Sequence, residues 1–251
     1  MTDTSRAWIE NLTWPEVAAR IETATVLIPI GARAKEHGPH LPMQTDYLVA
    51  RALCDGVARA LPVLIAPVID FGYYPAFVAY PGSQHLRPET FQAVLQDVID
   101  GLIRHKARNI AIVNTGVSTE GPVTVVVRET LERRNVRIPV AHIRALGQAA
   151  RGLMEQKLGG HADEMESSLM LAIAPELTQI DRAVEDYGHA LTEPKTVFYV
   201  PTIFRGDAGS TPDFSLSGAR GDPRGATREK GRATLDAMVA DLVDGLRKLG
   251  L

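Results

Sequence analysis

Four short apolar runs, nearly free of polar residues, recur between longer segments whose apolar residues fall every three to four positions. A half-solvated strand alternates apolar with polar, so runs without alternation belong to strands covered on both faces. The runs are TATVLIPIG (23–31), PVLIAPVI (62–69), NIAIVNTG (109–116) and RIPVAHI (137–143). Between them, helical periodicity predicts helices over 45–61, 87–106, 121–135, 166–177 and 225–250. Thr45 or Asp46 is placed to cap the first, and Pro88 with Glu89 opens the second at its positive dipole end. The segment 121–135 is ambiguous and is read as helix because it runs on into ETLERRN; Pro175 stops the fourth helix and Thr227 begins the fifth. Strand–helix alternation predicts an α/β fold: one domain over 1–251, a mostly parallel sheet with helices on both faces. Residues 201–224, rich in Gly, Pro, Ser and Asp, read as one long loop, and long loops in compact domains are often functional.

Charge and cysteine content narrow the function classes. With 27 Lys and Arg against 30 Asp and Glu, the chain lacks the basic stripe that neutralises phosphates, so no nucleic-acid partner is expected. The single cysteine, Cys54, lies in the apolar pattern ARALCDGVARAL and reads as a buried inert thiol; it excludes an internal disulfide or a multi-cysteine metal site. The first residues show no basic stretch followed by an apolar one, and the longest apolar runs are broken by Pro and Gly. No membrane association is expected, and the default location is the cytoplasm.

Chemistry concentrates in two segments. GARAKEHGPHLPMQTD (31–46) follows a strand, and in open α/β sheets ligands bind beyond the carboxyl ends of strands. It gathers Lys35, Glu36, His37, His40 and Asp46 in a loop stiffened by Pro39 and Pro42. Imidazole and carboxylate suit a zinc- or manganese-type ion, although loop histidines are often merely solvated. HADEMESSLMLAIAP (161–175) sets Asp163, Glu164 and Glu166 just ahead of an apolar run. These acids either cap a helix or, through Glu166, turn back toward a metal.

Together these segments resemble a known family. HGPHLP with Thr45 and Asp46 is similar to the creatininase (creatinine amidohydrolase) motif Glu-Gln-His-Gly-Pro-His-Leu-Pro-x-x-Thr-Asp. HADEMESS resembles that family's His-Ala-Gly-Glu-x-Glu-Thr-Ser block, YPGS (80–83) its Phe-Pro-Gly-Thr turn, and GDPRGATREKGR (221–232) its late Gly-Asp-Pro block. The blocks stand in family order. The resemblance implies a single α/β domain assembled as a homo-oligomer, commonly a hexamer. It also implies metal-dependent hydrolysis of C–N bonds in small cyclic or linear amides, or in short peptides. It places His37 and Glu166 as metal ligands, Asp46 as the aspartate that bridges two ions, and His161 as a proton shuttle.

Two family ligands are missing. The glutamate two residues before the first histidine falls on Lys35, and the histidine of the family's Asn-Gly-His loop falls on Gly116 in NTGVST (114–119). The stretch from Gly31 to His37 is one residue longer than usual, which offers Glu36 as a replacement ligand or base. Three ligands remain (His37, Asp46, Glu166), enough for one divalent ion, zinc or manganese with iron the third option, while the Lys35 ammonium takes the place of the other. The alternative is that Lys35 points to solvent and the site has decayed. Tyr74, Ser83 and Ser118 are the candidate substrate contacts, with Arg205 and Arg220 as possible carboxylate holders. The expected function is a one-metal amidohydrolase acting on a small-molecule amide, with His161, Lys35 and Glu36 catalytic. A non-catalytic small-molecule binding or regulatory protein on the same scaffold, or lyase- or isomerase-like chemistry, is the competing expectation. The only tryptophans, Trp8 and Trp14, lie far from the late motif, which argues against creatinine itself.

Overall fold

Thr25–Ile30 (β1) is buried along its whole length, as a strand sandwiched between two helical layers must be. The computed structural model describes residues 4–192, 196–198, 200–207, 209 and 214–251; positions 208 and 210–213 of the predicted loop lie outside them. β1 sits between Leu64–Ile65 (β2) and Asn109–Asn114 (β3), with Val140–His142 (β4) beyond β3, giving the order β2-β1-β3-β4 with every pair parallel. Alternate residues feed two separate cores. Leu27, Ala111 and Val113 face the layer made by Thr45–Ala60 (α2), Glu164–Ile173 (α5) and Arg228–Lys248 (α6). Val26, Ile28, Ile30, Ile110 and Ile112 face Pro88–Arg104 (α3) and Glu120–Arg134 (α4). A short helix, Trp14–Ala18 (α1), opens on a capping box between Thr13 and Glu16.

The chain runs from β1 to β2 on one side of the sheet and then to β3 on the other. The crevice at the carboxyl ends of β1 and β3 is therefore the topological switch point. Ile30 pairs with Asn114, so both strands end level there. Three bonds clamp the start of α2 onto the end of β1. Tyr47 N–H donates to Ala32 O (3.1 Å), and the Thr115 hydroxyl shares its proton between Ile30 O and Asp46 O, 3.0 Å from each. Only glycine fits at Gly31, where a Cβ would lie 2.4 Å from Asp46 O.

Several boundaries differ from the expected ones. The second strand is only Leu64–Ile65 with a bridge at Ile69, because Pro67 cannot donate to a ladder. The fourth is trimmed to Val140–His142, just after Pro139. Pro29 is tolerated in central β1 because its carbonyl accepts from Ile69 N–H (2.9 Å); its missing donor faces the gap between Ile65 and Ile69. Segment 120–134 is helical, as read. The fourth predicted helix ends at Ile173, ahead of Pro175, and begins earlier, at Glu164, with Asp163 as its cap. Neither Thr45 nor Asp46 caps α2: the Thr45 hydroxyl donates to Pro42 O (2.7 Å) and the Asp46 carboxylate is engaged elsewhere. Thr227 does cap α6, accepting from Lys230 N–H. Cys54 is buried and free. Among the described residues no helix is long and apolar enough to cross a membrane.

α6 crosses α5 so closely that a Cβ on Gly231 would lie 1.7 Å from Ser168 O. Gly→Ala inside a helix ordinarily gains about 1 kcal/mol. Here the clash is with backbone, and overpacking of this kind costs about 1–3 kcal/mol. Gly231→Ala is expected to lower the midpoint of chemical denaturation despite its better helix propensity; an unchanged or raised midpoint would contradict this packing.

Candidate functional site

Lys35 follows β1 and Asp46 opens α2, and the clamp between those elements brings the two side chains together. The Lys35 ammonium donates to Asp46 Oδ2 at 2.7 Å, with both side chains at most 8 % exposed. The other carboxylate oxygen, Oδ1, lies 3.0 Å from His37 Nε2. Burial alone would push the Asp46 carboxyl pKa up, but Lys35 and His37 override it and hold the group ionised, far below the usual carboxylate range. His37 is fully buried, and its Nδ1–H donates to the Lys35 carbonyl at 2.9 Å. That bond fixes the ring orientation and turns Nε2 toward Asp46 Oδ1.

His161 comes from the turn before α5. Its Nε2–H is shared between the carbonyl (2.9 Å) and the carboxylate Oε2 (3.1 Å) of Glu36, and its Nδ1 faces Glu166 Oε2 at 3.8 Å. Burial lowers the His161 pKa, but the bond to Glu36 and the charges of Glu36 and Glu166 more than offset it, and the net shift is upward. Glu36 shifts the other way: burial raises its pKa, and His161, the Gly38 N–H and His37 bring it below the ordinary value. Asp163 caps α5 by accepting from Glu166 N–H at 3.0 Å. Ala162, between His161 and Asp163, is held at φ 46°, which an L-residue adopts only under constraint. Its N–H donates to Glu166 Oε2 at 2.7 Å. Phe77 packs on His161 (ring centroids 4.1 Å apart) and lies 5.0 Å from the Lys35 ammonium.

The donors suit a divalent ion. His37 Nε2 and Asp46 Oδ1 stand at hydrogen-bond distance, where an imidazole proton or a bound cation joins them. One ring nitrogen from each of His37 and His161 and a carboxylate oxygen of Glu166 also lie within 4.8 Å of one another. Imidazole and carboxylate together suit zinc, manganese or iron. Asp46 falls outside that second group and reaches it through His37. At the position of the missing family histidine, a Cβ on Gly116 would lie 2.7 Å from Thr119 Oγ1. The Thr119 hydroxyl bonds to Asn114 Oδ1 and Gly116 O, both at 2.7 Å, so that place is filled.

Among the candidate substrate contacts, Ser118 is half-buried and lines the cavity described below. Ser83 does not line it: its hydroxyl accepts from Glu36 N–H (3.0 Å) and holds the 35–37 backbone in place. The Tyr74 ring lines the cavity, but its hydroxyl is taken by the carbonyls of Gln84 and Ala34. His40 is a pin for the loop. Its Nε2 lies 2.7 Å from Ser167 Oγ, and burial lowers its pKa to about 4, so it is neutral. Two residues carried no readable signal for their role. Gly218, at φ 82°, leaves room for Glu36, whose Oε1 would lie 2.2 Å from a Cβ there. Phe204 packs against Phe77 at 5.7 Å.

Lys35, Asp46, His161, Glu166 and Phe77 open onto one cavity of about 1110 Å³, also lined by Ser118 and Phe204. The sequence profile described as creatinine amidohydrolase matches residues 10–246. The chain is 27% identical to the creatinine amidohydrolase of Pseudomonas putida over 263 residues, which covers 96% of each chain. It is likewise 27% identical to the mycofactocin precursor peptide peptidase of Mycobacterium ulcerans, over 94% of this chain and 86% of that one. A single-residue creatininase variant of the Zn–Zn type superposes with a TM-score of 0.80 at 27% identity, covering 96% of this chain and 97% of its own. With both the profile and the fold matched almost from end to end, the chain belongs to the creatininase family.

Proposed function

We propose that the chain hydrolyses an amide or cyclic-amide C–N bond of a small molecule with one divalent ion, zinc or manganese with iron the third option. The observation that carries this reading is the Lys35–Asp46 pair, a buried ammonium at 2.7 Å from the carboxylate that bridges two ions in the family pattern. Its support is the family membership and the chemistry of the donors that remain. His37, Asp46 and Glu166 are the proposed ligands, since Asp46 Oδ1 stands 3.0 Å from His37 Nε2 and Glu166 groups with His37. A bound divalent ion would polarise a carbonyl and lower the pKa of water.

The protein groups then divide the work. Lys35 supplies a fixed positive charge beside Asp46 that favours negative charge developing on a carbonyl oxygen. His161, already hydrogen-bonded to Glu36, holds the proton that a leaving nitrogen needs, and Glu36 orients the ring. Phe77 and Phe204 keep water from one wall of the cavity. Neither Trp8 nor Trp14 lines the cavity, so the stacking surface that tryptophans would offer a flat ring is absent from its described lining.

Elemental analysis of protein purified without chelator is expected to give about one divalent ion per chain, and His37→Ala should lose it. Two ions per chain would sink the substitution by Lys35, and none would favour a binding protein without catalysis.

Lys35→Met leaves Asp46 buried without its ammonium partner. Breaking a buried pair costs about 3–5 kcal/mol, so denaturation should shift by that order while the ion stays bound and turnover of amides is lost. Unchanged stability and activity would show that Lys35 does not stand in for an ion.

The proposal includes assembly as a homo-oligomer, a hexamer in the family pattern. Sedimentation at micromolar concentration should show it; a stable monomer would contradict it.

A further inference from the structure

Beyond the centre, the side chains lining the cavity carry one sign of charge. Arg144, Arg151, Lys157 and Arg220 line it. The carboxylates that line it, Asp46, Asp163 and Glu166, all belong to the centre and are engaged there by Lys35, by the backbone of Gly160 and Glu166, and by the Ala162 N–H. Among the described residues, Arg144 and Arg151 make no ion pair, while Lys157 lies close enough to Asp222 to lower its pKa. Arg151 is tethered all the same: its Nη2 donates to the Arg144 carbonyl at 2.7 Å. Two guanidinium-bearing residues are thus tied together with no carboxylate between them. Between this basic region and the reacting groups runs an aromatic wall. The Arg220 guanidinium lies 5.4 Å from the Phe204 ring centroid, Phe204 packs on Phe77, and Phe77 packs on His161.

We infer that the substrate is an amide that also bears a carboxylate, such as an N-acyl amino acid or a cyclic amide acid. Its anionic group meets the Arg144–Arg151 pair and Lys157, and its apolar body lies on Phe77 and Phe204. Three considerations support this. A concave site with apolar walls and an excess of one sign of charge concentrates ligands of the opposite sign. A guanidinium offers a carboxylate two parallel donors, and a bond between ions is roughly twice as strong as a neutral one. Lys35 is paired with Asp46, so the long-range attraction comes mainly from the basic residues beyond the centre. The inference names the substrate class for the amide-hydrolase reading and rests on it.

The test is calorimetric titration of the purified protein with two matched pairs: 5-oxoproline against 5-oxoprolinamide, and N-acetyl-leucine against N-acetyl-leucinamide. Within each pair the acid is expected to bind about tenfold more tightly. Arg144→Gln and Arg151→Gln should each cut that preference several-fold, and high salt should shrink it. Both arginines are exposed, and circular dichroism checks that the variants remain folded. Equal affinity for acid and amide, including no measurable binding by either, overturns the inference, as does a preference that both arginine variants retain. Hydrolysis of the same four compounds is followed in parallel and reads the other question. An arginine-dependent acid preference with no cleavage leaves the anion site standing and removes the hydrolase reading. Cleavage with no acid preference does the reverse.

Discussion

The contact between the Lys35 ammonium and the Asp46 carboxylate organises the site around it. It joins the residue run after β1 to the first turn of α2, where the Thr115 hydroxyl and the closely packed Gly31 already hold the two elements together. In a buried setting an ionised carboxylate is costly unless it is paired. Here Lys35 takes one oxygen and His37 faces the other. His37 is in turn held by the Lys35 carbonyl, so one residue supplies both the counter-charge of Asp46 and the orientation of His37.

A second network lies beside the first. Glu36, next to Lys35 in sequence, turns away from Asp46 and binds His161, while Gly218 leaves the space that its carboxylate occupies. The two imidazoles come within 4.8 Å of each other, ring centre to ring centre. The extra residue before His37 is therefore accommodated by separate partners: the lysine engages the aspartate and the glutamate engages the histidine. Residue 36 thus has a specific partner, which is more than a register shift alone would require.

Much of this is legible in the sequence. Unbroken apolar runs predicted a doubly covered parallel sheet, and the 31–46 loop was placed at a strand's carboxyl end, where the switch point lies. The motif blocks single out His37, Asp46, His161 and Glu166 as candidates, and Lys35 as the departure to explain. The hydroxyls of Ser83 and Tyr74 have other partners for a common reason. A hydroxyl near a site reads as a substrate contact, yet both are consumed by the backbone of the loops that frame it. Strand ends were overextended where Pro67 and Pro139 remove ladder donors, an effect that apolar content hides.

By itself the sequence determined the layering and the chemistry available. Periodicity of apolar residues is a local property, and the His37–Asp46 loop carries its ligating groups within ten residues. Which of those groups meet was decided only by the tertiary structure. Glu36 and His161 stand 125 positions apart, and the Arg144–Arg151 turn reaches the same cavity as Phe204 only because the strand order brings their loops to one edge. Pairings over such separations depend on strand order and on the space left by residues such as Gly218 and Gly116. Side-chain type does not encode that space; it exists only once the backbone has closed around it.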